Sequence, residues 1–245
     1  MAGDEQVKLT LFLSLSLVVP NERGYEEALA AGATEIAIFG SASESFAQSN
    51  INTSIAGSLE RFAVLAKRAQ EDGVRVRGYV SCIAGCPFEG YVPPSKVAYM
   101  VEELLGLGCY EVSLGDTIGV GTPGSTGHVL DECLKVTGPE RLAVHYHDTY
   151  GQALANVLVA LEKGIASVDS SVAGLGGCPY APSASGNLAT ENLVYMLHGM
   201  GVETGVDLRA LVRTAEWICS VLDRRVSAHV SLAMLARMKR ESYPV

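Results

Sequence analysis

Two histidines separated by one residue, His145 and His147, stand just before Asp148 at the end of a short apolar run. Residues two positions apart in a β-strand face the same side, so the two imidazoles point the same way. Two imidazoles on one face suit a divalent metal, and Asp148 would then orient one of them from behind. The spacing also fits a pair of histidines hydrogen-bonded in a polar layer, and both interpretations stay open.

A glycine-rich loop, residues 174–180, contains Cys178. Its glycines let the backbone approach a ligand closely. A single thiol in such a loop is a candidate acid, base or nucleophile, although an ordinary exposed thiol fits the same sequence. Asn187 follows Gly186 where a helix is predicted to begin. It is therefore either the helix N-cap or an amide ligand that completes a metal site.

Three further polar residues occupy predicted strands. Asp116 ends one strand, where a carboxylate is either catalytic or caps the following loop. Arg77 and Tyr79 alternate with smaller residues in another strand and therefore share a face. Burying a charge in a strand is costly unless it is paired. Arg77 therefore pairs either with a carboxylate in the site or in a structural ion pair.

Short apolar runs alternate with amphipathic stretches along the chain. The predicted strands are residues 13–19, 35–39, 74–81, 111–116, 142–147 and 167–172. The predicted helices are residues 24–31, 55–71, 95–107, 125–137, 152–163, 188–199 and 208–222. This alternation predicts parallel strands joined by right-handed crossovers.

Polar residues collect at the carboxyl ends of these strands, and no Gly-x-Gly-x-x-Gly follows the first strand, which favours a barrel over an open sheet. We predict an α/β fold, a TIM (β/α)8-type barrel that lacks about the first two βα units and keeps six parallel strands, with C-terminal helices. The prediction is one domain over residues 1–245, with a divergent N-terminus (1–12) and a polar, frayed C-terminal tail (223–245).

Composition excludes several classes of protein. The chain has 245 residues, is 48% hydrophobic and carries a net charge of −9. These values argue against disorder, and against broad contact with nucleic acid or anionic membranes. The longest apolar run, residues 9–20, is too short to span a membrane, and we interpret it as a buried strand rather than a secretion signal. The six scattered cysteines indicate free thiols in a reducing compartment.

Several motifs resemble one enzyme family, the 3-hydroxy-3-methylglutaryl-CoA lyases, over residues 19–222. They are segments 76–82 (VRGYVSC), 85–90 (GCPFEG), 110–124 (YEVSLGDTIGVGTPG), 145–156 (HYHDTYGQALAN), 171–180 (SVAGLGGCPY) and 184–191 (ASGNLATE). The resemblance implies a metal-dependent barrel lyase that cleaves 3-hydroxy-3-methylglutaryl-CoA to acetoacetate and acetyl-CoA, in leucine degradation and ketone-body formation.

The resemblance also implies roles for individual residues. His145, His147 and Asn187 match metal ligands for Mg²⁺ or Mn²⁺. Cys178 and Asp116 match catalytic positions. We add Arg77 and Tyr79 as candidate substrate-binding residues. The expected partner is an acyl-CoA, with no nucleic acid and no membrane, and a homo-oligomer is possible. The expected compartment is the mitochondrial matrix, or alternatively the cytoplasm.

The N-terminus departs from the family pattern. The family's first strand ends in an Arg-Asp motif whose Asp binds the metal and whose Arg stabilises the enolate. Here residues 1–9 (MAGDEQVKL) run directly into what resembles the family's third strand. We therefore predict weak or no activity from this chain alone. The alternative is a non-catalytic truncated variant that binds metal or acyl-CoA, or pairs with a full-length lyase. A related barrel enzyme that runs a condensation is a third reading, against which the Cys178 loop argues.

Overall fold

The computed structural model describes residues 16–177 and 186–241. Its strands are β1 (Ser16–Val18), β2 (Glu35–Ser41), β3 (Arg75–Ser81), β4 (Val112–Asp116), β5 (Leu142–Tyr146) and β6 (Ser167–Asp169). Its α-helices are α1 (Glu22–Ala30), α2 (Glu44–Ile51), α3 (Ile55–Glu71), α4 (Pro94–Gly106), α5 (Pro123–Cys133), α6 (Ala153–Glu162), α7 (Thr190–Gly199), α8 (Leu208–Val221) and α9 (His229–Glu241).

The strands form one parallel sheet in the order of the chain, from β1 to β6. The longest pairing joins β2 and β3, from Glu35 opposite Arg75 to Ser41 opposite Ser81. Within the described residues the sheet curls into a half-barrel with helices outside it, as the alternation of strands and helices predicts. The predicted fold class is confirmed. Parallel order brings the carboxyl ends of all six strands to one rim.

Strand alternation separates an outer apolar face from an inner polar face. On β3, Val76 and Val80 belong to the hydrophobic core beneath the helices. Arg77, Tyr79 and Ser81 alternate with them on the other face. Helix α3 packs a stripe of apolar residues against the sheet, and these residues are buried: Leu59, Phe62, Leu65, Ala66 and Ala69. The core therefore lies between sheet and helices, and the concave face is left for polar groups.

The first strand was predicted to be buried, but the three residues of β1 are exposed. Two helices also differ from the expectations. Helix α2 was not predicted; its N-cap Ser43 accepts a hydrogen bond from the Phe46 N–H, and it ends at the left-handed Asn52. Helix α9 occupies much of the segment predicted as a frayed tail. It packs against α7 and α8, and its Ser231 is fully buried. In the described part of the chain, every helix is too short or too polar to cross a membrane.

Candidate metal and active site

A cavity of about 370 Å³ opens at the carboxyl ends of the strands. Its wall brings together four residues predicted from the sequence, and two loop glycines join them: Tyr79, His145, His147, Asn187, Gly176 and Gly177. Among the described residues, Arg77 and Asp116 lie outside this wall. Cys178 falls outside the described residues.

His145 and His147 lie together at the carboxyl end of β5, as the two-residue spacing predicts. Their ring centroids are 5.7 Å apart. His147 also pairs with Asn187 in an antiparallel bridge. Two backbone hydrogen bonds flank this bridge, from Asp148 N to Gly186 O and from Leu188 N to Tyr146 O. The segment that contains Asn187 is thus held directly beside the histidines.

Two buried polar atoms in this wall lack hydrogen-bond partners among the described residues. They are Nδ1 of His147 and Oδ1 of Asn187. The amide of Asn187 is oriented by its other end, because Nδ2 donates to the Leu175 carbonyl at 2.9 Å. A buried polar atom without a partner is costly, and such atoms often mark an absent water or ion. The amide oxygen is an electron-pair donor, and Nδ1 of His147 is one in the tautomer that carries its proton on Nε2. In that tautomer the residues present fit a cation.

The electrostatics of His147 agree with this fit. Burial lowers the pKa of the His147 imidazole, and the neighbouring His145 lowers it further. The ring is therefore kept neutral near pH 7, which is the form that binds metals. Among the described residues, no group of three or more His, Cys, Asp or Glu side chains is arranged to hold a metal. The candidate set therefore consists of two imidazoles and one amide oxygen.

Arg77 forms an ion pair, which is one of the two roles that the sequence left open. Its Nε donates to Glu111 at 2.7 Å, and its Nη1 lies 2.9 Å from Asp169. Nη1 also donates to the Tyr79 hydroxyl. These contacts link β3, β4 and β6 across the concave face. The role of Arg77 in binding substrate stays a prediction.

Asp116 is fully buried and holds the loop after β4. Its two carboxylate oxygens accept the backbone N–H groups of Val120 at 3.2 Å and Gly121 at 2.8 Å. Burial raises the pKa of this carboxyl, although these hydrogen bonds act against the shift. The contacts match the capping alternative, and the catalytic role stays a prediction.

The glycine-rich loop approaches Asn187 so closely that side chains are excluded. At Gly176, which has φ +105°, a Cβ atom would lie 2.6 Å from Asn187 Nδ2. At Gly186, with φ +87°, it would lie 2.5 Å from the Gly174 carbonyl oxygen. Both positions combine left-handed backbone with close contact, which glycine alone accommodates without strain.

Three acidic residues near the site were missed from the sequence. Glu111 and Asp169 pair with Arg77, and the fully buried Glu191 accepts the Ala173 N–H. Asp169 ends β6, inside the strand predicted over residues 167–172. The alternation of β6 offered a signal, since Asp169 occupies a strand-end position equivalent to that of His145.

The comparisons with known proteins agree with this geometry. A family model described as HMGL-like matches residues 7–218. The mitochondrial hydroxymethylglutaryl-CoA lyase of Arabidopsis thaliana is 55% identical over 228 residues, which cover 93% of this chain and 49% of that protein. The cytoplasmic 3-hydroxy-3-methylglutaryl-CoA lyase of Danio rerio is 55% identical over 217 residues, which cover 89% of this chain and 65% of that protein. The chain thus spans about half to two thirds of the length of these relatives.

A solved structure shares the fold. Hydroxymethylglutaryl-CoA lyase from Pseudomonas aeruginosa superimposes with a TM-score of 0.89 at 51% identity, covering 92% of this chain and 75% of that chain. Parallel strands in sequential order with a polar site at their carboxyl ends define a protein of the TIM-barrel class. Within that class the chain belongs to the HMGL-like family.

Proposed function

We propose that this chain carries the site of a carbon–carbon lyase that cleaves 3-hydroxy-3-methylglutaryl-CoA to acetoacetate and acetyl-CoA. One observation carries the proposal: two polar atoms, His147 Nδ1 and Asn187 Oδ1, have no hydrogen-bond partner among residues 16–177 and 186–241 and are buried beside His145 at a cavity at the strand ends. The family membership and the names of the relatives give this site its substrate class.

The reaction sets the chemical requirements of the site. The C3 hydroxyl loses its proton, the C2–C3 bond breaks, and the electron pair moves onto C2 as the enolate of the thioester. C3 becomes the ketone carbon of acetoacetate, and protonation of C2 completes acetyl-CoA. A divalent cation, Mg²⁺ or Mn²⁺, held by His145, His147 and Asn187, lowers the cost of charge on the substrate oxygens when bound.

The chain's own residues supply positioning and the proton. Cys178 is the proposed proton donor to C2, and Gly177, which precedes it in the sequence, contributes to the cavity wall. Tyr79 lines the same cavity, with its ring centroid 6.3 Å from that of His145, and is the proposed contact for the acyl group. Asp116, at the carboxyl end of β4, is proposed to accept the proton that the C3 hydroxyl loses.

The remaining assignments follow from the same proposal. The partner is an acyl-CoA, and the compartment is the mitochondrial matrix, with the cytoplasm as the alternative, because relatives of both kinds are named. Self-association stays a prediction, which sedimentation of the purified chain would measure.

The decisive experiment measures acetoacetate formed from 3-hydroxy-3-methylglutaryl-CoA with Mg²⁺ or Mn²⁺. We expect product that depends on the cation and is lost in His147→Ala. The matched control is His128→Ala, since His128 is exposed on α5, away from the cavity. The proposal would be overturned if His147→Ala formed acetoacetate as fast as the parent chain, or if the parent chain formed no more than that variant. The same assay decides between the weak and the absent activity that the sequence predicts as alternatives.

A further inference from the structure

Asp169 lies directly beside His145. The two residues are register partners on the paired strands β5 and β6. Nδ1 of His145 is 3.3 Å from Oδ2 of Asp169. This contact is slightly longer than the usual range for N–H···O bonds, but a charged acceptor strengthens it. The carboxylate therefore faces one specific nitrogen of a ring that lines the cavity.

The Asp169 carboxylate is itself fixed from two other strands. Ser113 Oγ on β4 donates to Oδ2 at 2.8 Å, and Arg77 Nη1 on β3 lies 2.9 Å from Oδ1 and 3.1 Å from Oδ2. Arg77 is in turn held by Glu111 at 2.7 Å. The side chains of Arg77 and Asp169 are 11% and 21% exposed, so water screens this cluster little. Asp169 has little freedom to turn away from His145.

The charges in this cluster do not balance. One guanidinium, that of Arg77, faces two carboxylates, those of Glu111 and Asp169. A structural ion pair needs only one of them. The surplus negative charge lies against the His145 ring, where it makes the imidazole a better donor to a cation.

We infer that Asp169 is a positioning residue for His145: it accepts the Nδ1–H, fixes that tautomer, and leaves the Nε2 lone pair free for a divalent cation. The inference rests on the proposed metal site. It goes beyond that proposal by assigning a role to a residue outside the ligand set. Partners of this kind orient metal-binding histidines in general.

Asp169→Asn tests the inference because it preserves shape. Arg77 Nη1 contacts both oxygens, and the shorter contact is to Oδ1. We expect the asparagine oxygen to keep that shorter contact, so that its NH₂ group takes the place of Oδ2 beside His145. Nδ1 then becomes an acceptor and the proton moves to Nε2, the atom needed for the cation. An analogous Asp-to-Asn change in a catalytic triad produces the wrong histidine tautomer. Glu111→Gln is the matched control, since it removes the other carboxylate on Arg77 without touching His145.

Two measurements on the full chain report the effect. Imidazole ¹⁵N NMR at pH 8, with the His145 signal assigned by its loss in His145→Gln, reports the tautomer without metal. Mn²⁺ titration followed by electron paramagnetic resonance reports affinity. We expect Nδ1–H in the parent chain and in Glu111→Gln, and Nε2–H in Asp169→Asn with about 10–100-fold weaker Mn²⁺ binding.

The outcomes separate this inference from the proposed function. Parent-like tautomer and Mn²⁺ affinity in Asp169→Asn would overturn the inference and leave the metal site standing. Equal weakening in both variants would also overturn it, because a general charge effect would then suffice. A parent chain that binds no Mn²⁺ would overturn the metal site and the inference together. If Asp169→Asn unfolds, Ser113→Ala replaces it as the test, because this variant removes one hydrogen-bond donor from Oδ2. We then expect the ¹⁵N resonance of His145 Nδ1 to shift. An unchanged resonance would overturn the inference.

Discussion

Glu191 binds the backbone of Ala173 with both carboxylate oxygens, at 2.9 and 3.0 Å from its nitrogen. Ala173 is in left-handed conformation, with φ +58°, at the start of the glycine-rich loop. Glu191 belongs to the first turn of α7 and is fully buried. Helix α7 therefore holds the loop in a backbone conformation that alanine disfavours.

We expect Glu191→Ala to leave the Ala173 N–H without its buried acceptor. The free energy of unfolding should fall by about 1–3 kcal/mol, the cost of one unsatisfied buried group. Urea unfolding measures it, with Glu203→Ala, an exposed position, as the control. Equal stability of the two variants would contradict the role given to Glu191.

Mn²⁺ should stabilise the native chain, because a cation that binds the native state alone shifts the folding equilibrium. The gain reaches about 2.7 kcal/mol when free Mn²⁺ is 100 times its Kd. Thermal unfolding with Mn²⁺ and with a chelator measures the gain. The variant Asn187→Ala should lose it and His128→Ala should keep it, and an unchanged gain in Asn187→Ala would count against the ligand set.

Gly176→Ala should disturb Asn187. The added Cβ would lie 2.6 Å from Asn187 Nδ2, in a backbone conformation that alanine disfavours. We expect lower stability and weaker Mn²⁺ binding. Gly199→Ala is the control, since a Cβ there meets nothing within 4 Å and helical glycine is unfavourable. If both variants bind Mn²⁺ as tightly as the parent chain, the close approach of Gly176 to Asn187 does not affect metal binding.

Arg77→Met should leave Glu111 and Asp169 without their shared cation. Removing one partner of a buried ion pair costs about 3–5 kcal/mol. Burial acts against ionisation of Asp169, but His145, Arg77 and Ser113 together lower its pKa. A carboxyl with a lowered native pKa adds stability that is present above its ordinary pKa, about 4, and is lost as pH falls. The loss in Arg77→Met should therefore shrink in acid.

Urea unfolding of this variant between pH 3 and 7 checks the trend. Arg23→Met, which breaks an exposed pair with Glu27, should cost less than about 1 kcal/mol. A loss in Arg77→Met that is constant with pH would contradict the charge argument.

Asp116 should show the opposite dependence on pH. Because burial raises its pKa, the native chain binds that proton more tightly than the unfolded chain. Its contribution to stability is therefore complete below about pH 4 and declines as pH rises through the raised native pKa. Asp116→Asn should gain on the parent chain as pH rises. Urea unfolding measures the difference, and Asp223→Asn, an exposed position, should show no such trend.

Much of the fold was predictable because helix and strand periods are local signals. Helix α3 has the predicted bounds, because its apolar stripe and its N-cap Ser54 both favour a helix over the same residues. Helices α2 and α9 were missed for different reasons. Helix α2 is short, and the charged residues at the end of α9 made that segment resemble a polar tail: Arg237, Lys239, Arg240 and Glu241. The order of α9 comes from packing on α7 and α8, which no local pattern encodes.

The site was predictable where strand periodicity alone determines direction, as for His145 and His147. The partners of Arg77 were not predictable. Glu111 precedes β4 and Asp169 ends β6, and sequence does not show which strands meet across a curved sheet. The function of Asp116 stayed open for a similar reason. Its backbone donors, Val120 and Gly121, depend on how the next loop folds.

The bridge between His147 and Asn187 has a consequence for folding kinetics. Helix α6, strand β6 and the glycine-rich loop all lie between the two residues in the chain. The donor atoms can therefore meet only after this long excursion has closed, which is entropically slow compared with forming any single helix. The rate of cation binding during refolding would then report the last stage of assembly. It would be slower than the recovery of the helical circular dichroism signal.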